Sequence, residues 1–272
     1  MMVRYIKEFY SFLKHIFENK ELLLTLIVND FKKQYLGSYL GLFWAFVQPT
    51  VYIAVIWVVF SYGLRAGSLP NGTPFILWLV AGMIPWFFFS EIFDGTTNAV
   101  IENDFLVKKV SFRVSILPLV PIGSSLIIHG VLVVVLALLF MFKGYEPNLY
   151  WLQLFYYLFC SIFIILGIGW ITSAVRVFVK DISSIISVIV QIGFWATPVF
   201  WQIDLVPENY RWIVHLNPAE YIVTGYRDSL VNNVWFWEKP YETFYFLGLS
   251  SILFIMGAIV FRRLRPHFGD VL

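Results

Sequence analysis

The sequence predicts an all-α integral membrane protein with six transmembrane helices. An amphipathic interface helix precedes them at the N-terminus, and a re-entrant helical hairpin lies between the fifth and sixth. Three observations carry this. Of the 272 residues, 60% are hydrophobic and 13% charged, a balance that belongs to membrane proteins. Six uncharged runs recur along the chain, most of them near the roughly 20 residues a helix needs to cross a bilayer. Between the last two, residues 192–228 break at Pro198 and again at Pro218, yet Trp195, Phe200, Trp201, Tyr210, Trp212 and Tyr221 make them too aromatic for an ordinary solvated loop. Broken helices at membrane depth are tolerated where they are buried in protein or line a watery cavity. The stretch therefore reads as a hairpin at the mouth of a pathway. An interfacial loop with its aromatics at headgroup level is the plainer alternative.

The chain reads as a single membrane domain over residues 1–272, with 1–36 as the interface segment and 37–272 as the six-helix body. In residues 4–33, Phe9, Phe12, Leu13, Ile16 and Phe17 recur at helical spacing among Lys7, Lys14, Glu18 and Glu21, the pattern of a helix lying in the interface plane. The segment lacks the continuous apolar core of a cleavable signal. The spans are expected near 40–62, 75–93, 115–141, 151–174, 182–201 and 243–261, with Pro85 as a kink in the second. Six crossings place both termini on one side. The segments on that side carry fourteen Lys or Arg against five on the other, so the termini are expected in the cytoplasm and the aromatic hairpin outside.

Composition also excludes chemistry. The net charge of +2 is too small to suggest nucleic acid. The one cysteine, Cys160, permits no internal disulfide and argues against a thiol-metal site. No phosphate-binding loop, HExxH or GxSxG elbow is present. Asp94, Asp204 and Asp228 have no suitable partner for catalysis. The middles of the six runs hold no charge that would mark ion coupling, and His129 is alone in the third. Energy, if used, must come from outside the chain.

Two features remain. Phe, Tyr and Trp make 20% of the chain. Most are packing or interfacial belts, but a subset facing a pore would suit sugar rings, which present apolar faces and polar edges. The link 95–119 can form a short helix around Thr97–Phe105, followed by Lys108, Lys109 and Arg113. It is either a handle that a soluble motor grips or a solvated connector.

Four stretches resemble the type-two ABC export permeases for O-antigen, capsule and wall teichoic acid: FKKQYLGSYLGLFWAFVQP (31–49), NDFLVKKVSFRVSILPL (103–119), ATPVFW with LVPENYRWIVHLNPAEYIVTGYRDSL (196–201 and 205–230), and RRLRPHFGDVL (262–272). The resemblance implies a subunit that pairs with a second copy of itself in the bacterial inner membrane, among membrane lipids. Two ATPase subunits dock beneath and bind the ATP and Mg²⁺; this chain binds no cofactor and no metal. The substrate implied is a lipid-linked polysaccharide. The channel would be lined by Tyr39, Phe43, Trp44, Phe46, Trp195, Phe200 and Trp201, and closed outside by Pro198, Trp212, Pro218 and Tyr221. Coupling to the ATPases falls on Asn103, Asp104, Phe105, Lys108, Lys109, Arg176 and Asp181. A small-molecule or drug exporter permease shares the six-helix plan and is the alternative.

Overall fold

The computed structural model describes residues 14, 18–35, 41–63, 69, 72–108 and 113–272. Its helices are α1 (Lys20–Tyr35), α2 (Leu42–Val58, prolonged by a π turn over Val59–Gly63), α3 (Phe75–Glu102), α4 (Asp104–Val107), α5 (Leu119–Phe142), α6 (Gln153–Arg176), α7 (Ile182–Ala196), α8 (Arg211–His215), α9 (Pro218–Arg227), α10 (Pro240–Leu264) and α11 (Phe268–Val271). The spans built on α2, α3, α5, α6 and α10 are long and apolar enough to cross a bilayer; α7, also apolar, has 15 residues. The chain is an integral membrane protein. The apolar side of the N-terminal interface helix, Phe9 to Phe17, lies outside the described residues. What is described of that segment is α1, which packs on α5.

The core is α3. Its most apolar stretch is 78% buried, against 6% for α2, so α3 is the post around which α5, α6, α7 and α9 assemble while α2 stands at the rim. The interior positions Leu77, Leu79, Ala81, Met83 and Ile92 are fully buried. α6 joins α10 on the other side of α3. That pair closes on two glycines. A Cβ on Gly257 would lie 2.2 Å from the carbonyl oxygen of Gly167, and one on Gly167 would lie 2.7 Å from the backbone nitrogen of Phe254. Small residues let membrane helices approach until backbone meets backbone, and dispersion then takes the place of the hydrophobic drive that lipid removes.

The sequence places the end of the second span near residue 93, with a separate short helix around Thr97–Phe105. The structure corrects both. α3 runs unbroken to Glu102, and the short helix α4 begins only at Asp104. The polar run that suggested a link is buried. Thr97 donates to the Phe93 carbonyl at 2.9 Å and lies 2.8 Å from the Thr172 hydroxyl on α6, while Thr96 also bonds back to Phe93. Hydroxyls that bond to the preceding turn are satisfied inside a helix, so a run of threonines need not end one.

Gly257→Val should force α6 and α10 apart and lower stability by about 1–3 kcal/mol, the usual penalty of overpacking. Thermal unfolding followed by tryptophan fluorescence in detergent or nanodiscs checks it. An unchanged midpoint would mean the two helices do not meet here.

Candidate transport site

α7 ends at Ala196, and no long helix resumes directly after it. Residues 197–201 form turns, two single-turn helices succeed them at Ile203–Leu205 and Glu208–Tyr210, and then come α8 and α9. Pro218 is the first residue of α9, where its missing N–H costs nothing. Asn217 caps that helix, accepting from the Ala219 N–H at 3.0 Å, and donates to the Thr197 hydroxyl at 2.7 Å. The two sides of the broken stretch are thus tied where they meet. Its middle is exposed at Asp204, Leu205 and Pro207–Tyr210, and Arg211 pairs with Asp204 at 3.5 Å.

The carbonyls freed at the break are taken by a residue from α9. Arg227, 4% exposed, donates from Nη1 to Pro198 O and from Nη2 to Val199 O, both at 2.5 Å, and from Nε to Trp78 O at 3.2 Å. Its guanidinium lies 3.4 Å over the Trp78 ring. Gly82 makes room, since a Cβ there would fall 2.2 Å from Nη2. The planar fork of an arginine reaches three acceptors at once, which an ammonium on a flexible stem does not. Beside it, Asp228 is buried and holds Lys239 and Asn232, while buried Glu220 accepts from Thr224 at 2.8 Å and lies 3.4 Å from His215 Nδ1. The hydrogen bond to Glu220 raises the His215 pKa above its ordinary value.

The aromatics named from sequence separate into two groups. Phe200 is buried beside Trp195 at 5.0 Å and Phe194 at 5.3 Å. Trp201, half-buried, donates to the Trp195 carbonyl. Phe194 also meets Tyr52 of α2 and Trp86 of α3, and Phe60 meets Phe200. Phe43 and Trp44 pack on each other with both rings more than half exposed, and half-buried Phe46 lies a turn away. They sit about 24 Å from Phe60 along the axis of α2, at the opposite end. Tyr39 is outside the described residues. Of the outer group, Pro198 is buried and Trp212 exposed. Tyr221 is buried and shares hydroxyl contacts with Tyr156 at 3.0 Å and Thr243 at 2.9 Å.

At the far end of α3, Asn103 bonds back to the Ala99 carbonyl, and the Asp104 carboxylate accepts the Phe105 N–H at 2.7 Å. Phe105 and Lys108 are exposed, and Lys109 is outside the described residues. Arg176 instead turns inward and donates to Asn98. Asp181, exposed, precedes α7.

Two charged residues escaped the reading of the sequence. Arg227 counts there only as an outward-side cation, because the one clue to its burial is an uncharged stretch before it that is too short to signal a helix. Glu91 reads as the inner edge of the second span. Because α3 continues to Glu102, Glu91 lies well inside, where its Oε1 accepts from Tyr35 at 2.9 Å, Ser125 at 2.9 Å and Gln34 at 3.3 Å. These bonds pin α1 to α3 and α5, assisted by Ser124 on Asp30 and by the exposed pair Lys33–Glu102.

Arg227→Met should leave the Pro198 and Val199 carbonyls unpaired and cost on the order of 3 kcal/mol, read as a lower unfolding midpoint and faster amide exchange at 197–201. Arg227→Lys should recover only part. A second effect depends on pH. Because the folded pKa of His215 is raised, its contribution is fully present below its ordinary value of 6.5 and fades as pH rises through the folded value. The midpoint difference between the protein and His215→Gln should therefore shrink with rising pH. A constant difference would mean that the pair does not form.

A sequence-family profile described as "ABC-2 type transporter" matches residues 21–231. Among curated proteins, the chain is 27% identical to the O-antigen export system permease protein RfbA of Klebsiella pneumoniae, over 93% of this chain and 95% of that one. It is 25% identical to the protein of the same description from Myxococcus xanthus, over 99% of both. It is 23% identical to the polysialic acid transport protein KpsM of Escherichia coli, over 76% of this chain and 80% of that one.

Proposed function

We propose, from the premise that this chain belongs to the ABC-2 type transporter family, that it is the membrane-spanning subunit of an ATP-driven exporter of a cell-surface polysaccharide. The observation that carries the proposal is similarity along nearly the whole chain to permeases described as O-antigen export proteins. The polymer arrives linked to lipid and leaves through an aromatic-lined path. The chain sits in the bacterial inner membrane with both termini cytoplasmic, which matches the distribution of Lys and Arg.

The crossing that joins the five long spans is α7, fifth in order. Its 15 residues rise about 22 Å, short of the hydrocarbon core of roughly 30 Å. The deficit is met by the broken stretch after it, held at membrane depth by Arg227. That stretch and α8 then form the re-entrant outer gate. The rim helices α2 and α7 expose Val51, Val55, Ile185, Val188, Ile192 and Trp195, the faces on which a second copy would build the path. Two ATPase subunits dock on the cytoplasmic side, where α4 presents exposed Phe105.

Three outcomes are expected. The chain purified alone hydrolyses no ATP, and with its ATPase partner co-expressed it forms a two-plus-two complex, both read by turnover and mass photometry; turnover by the isolated chain would sink the assignment. Asp104→Lys or Phe105→Glu in that complex should leave ATPase activity and membrane insertion but lose export, and normal export would make α4 a bland connector. In a Cys160→Ala background, single cysteines along 198–220 should label from outside at 204–210 and be protected on both flanks. Labelling of 211–219 from the cytoplasm alone would mean that the segment crosses, and the gate would fall.

A further inference from the structure

We infer a sugar-binding subsite on the α1 side of the membrane domain, centred on Glu91; the inference rests on the polysaccharide reading above and names where such a ligand is first held. A cavity of about 480 Å³ lies between α1, α2, α3 and α5. That size falls in the range of roughly 300–1,000 Å³ usual for small-ligand sites, enough for a short piece of glycan. Trp44 and Tyr52, each about half exposed, form its lip. Gln34 and Gln48, also exposed, flank the mouth, and Glu91 and His129 lie further in.

Two polar groups, on Glu91 and Gln48, make this a polar site rather than a packing defect. All the hydrogen bonds described for Glu91 end on Oε1, which leaves Oε2. The exposed amide of Gln48 enters no hydrogen bond among the described residues. His129, 3% exposed, holds the Tyr226 hydroxyl through Nε2 at 2.9 Å, while its buried Nδ1 has no partner among the described residues. That nitrogen has no accessible surface and stands behind the cavity wall. An acyl chain in the cavity would leave both groups without a partner. An anionic ligand would meet the carboxylate with no Lys or Arg among the described lining residues to offset it. A neutral, hydroxyl-rich ring satisfies the carboxylate and the amide together, and its C–H face fits against an indole and a phenol ring.

The test is photocapture in cells that make the polymer, with a diazirine amino acid at position 48 in the assembled transporter. The expected product is a light-dependent adduct that stains for glycan and vanishes when polymer synthesis is switched off. Trp44→Ala should lower capture roughly tenfold and slow export, while Leu138→Ala, on the exposed face of α5, changes neither. Adducts that contain only phospholipid, or capture indifferent to Trp44→Ala, would overturn the subsite. A strain lacking the chain separates this from the broader reading. If that strain still displays its surface polymer, the exporter assignment falls and the subsite with it. If it loses the polymer but the probe finds only lipid, the exporter stands and the subsite falls.

Discussion

The structure depends on one buried cation. A helix that stops inside a bilayer leaves carbonyls with nothing to accept from, and each unsatisfied group in that medium costs several kcal/mol. Arg227 supplies donors for Pro198, Val199 and Trp78 from a single guanidinium. It pairs the carbonyls of the turn that follows α7, while the helix end itself is met by the Thr197 N–H on Gly193 O and the Trp201 indole on Trp195 O. It also binds α9 to the central post α3, so the broken stretch is located by the least mobile part of the fold. The arginine is itself a buried charge and would be a liability alone. Glu220 and Asp228 are the carboxylates that act on it, and each has further partners of its own.

Around that centre, stiffness is unevenly distributed. The α6–α10 pair closes backbone to backbone on Gly167 and Gly257, and α3 is buried along most of its length. The rim is different. α2 touches its neighbours through a few aromatic rings, chiefly Tyr52 and Phe60, and α7 presents an apolar face to its surroundings. α1 is held by polar bonds to Glu91 and Ser124 together with half-buried Leu26 and Ile27, for none of its residues is fully buried. A core that resists change and a rim that does not is the division of labour that a moving assembly uses.

The spans were legible in the sequence because hydropathy reports lipid contact directly, and α2, α5, α6 and α10 fall within a few residues of their expected limits. The broken stretch was legible too, since Pro198 and Pro218 leave no room for a full span. What escaped were the places where polarity is buried. The Thr96–Thr97 run looked like a link because hydroxyls are polar, yet they bond to their own helix. Arg227 and Glu91 looked like boundary charges because sequence cannot say that three acceptors await one, or three donors the other. The candidate path was visible only as an excess of aromatics. That Phe200, Trp195 and Trp201 gather at one end of α2, and Phe43 and Trp44 at the other, depends on contacts between residues more than 100 positions apart.

The arginine clamp also has a consequence for how the protein is made. The chain emerges in order, so Trp78 and then Pro198 and Val199 leave the ribosome before Arg227 does. Its acceptors have thus been synthesised before the cation, which need not wait for a partner yet to be translated. Were the order reversed, as in a permuted chain beginning at α9, the bare guanidinium would have to wait in hydrocarbon or turn back to water. The linear order of the gene thus doubles as an assembly schedule.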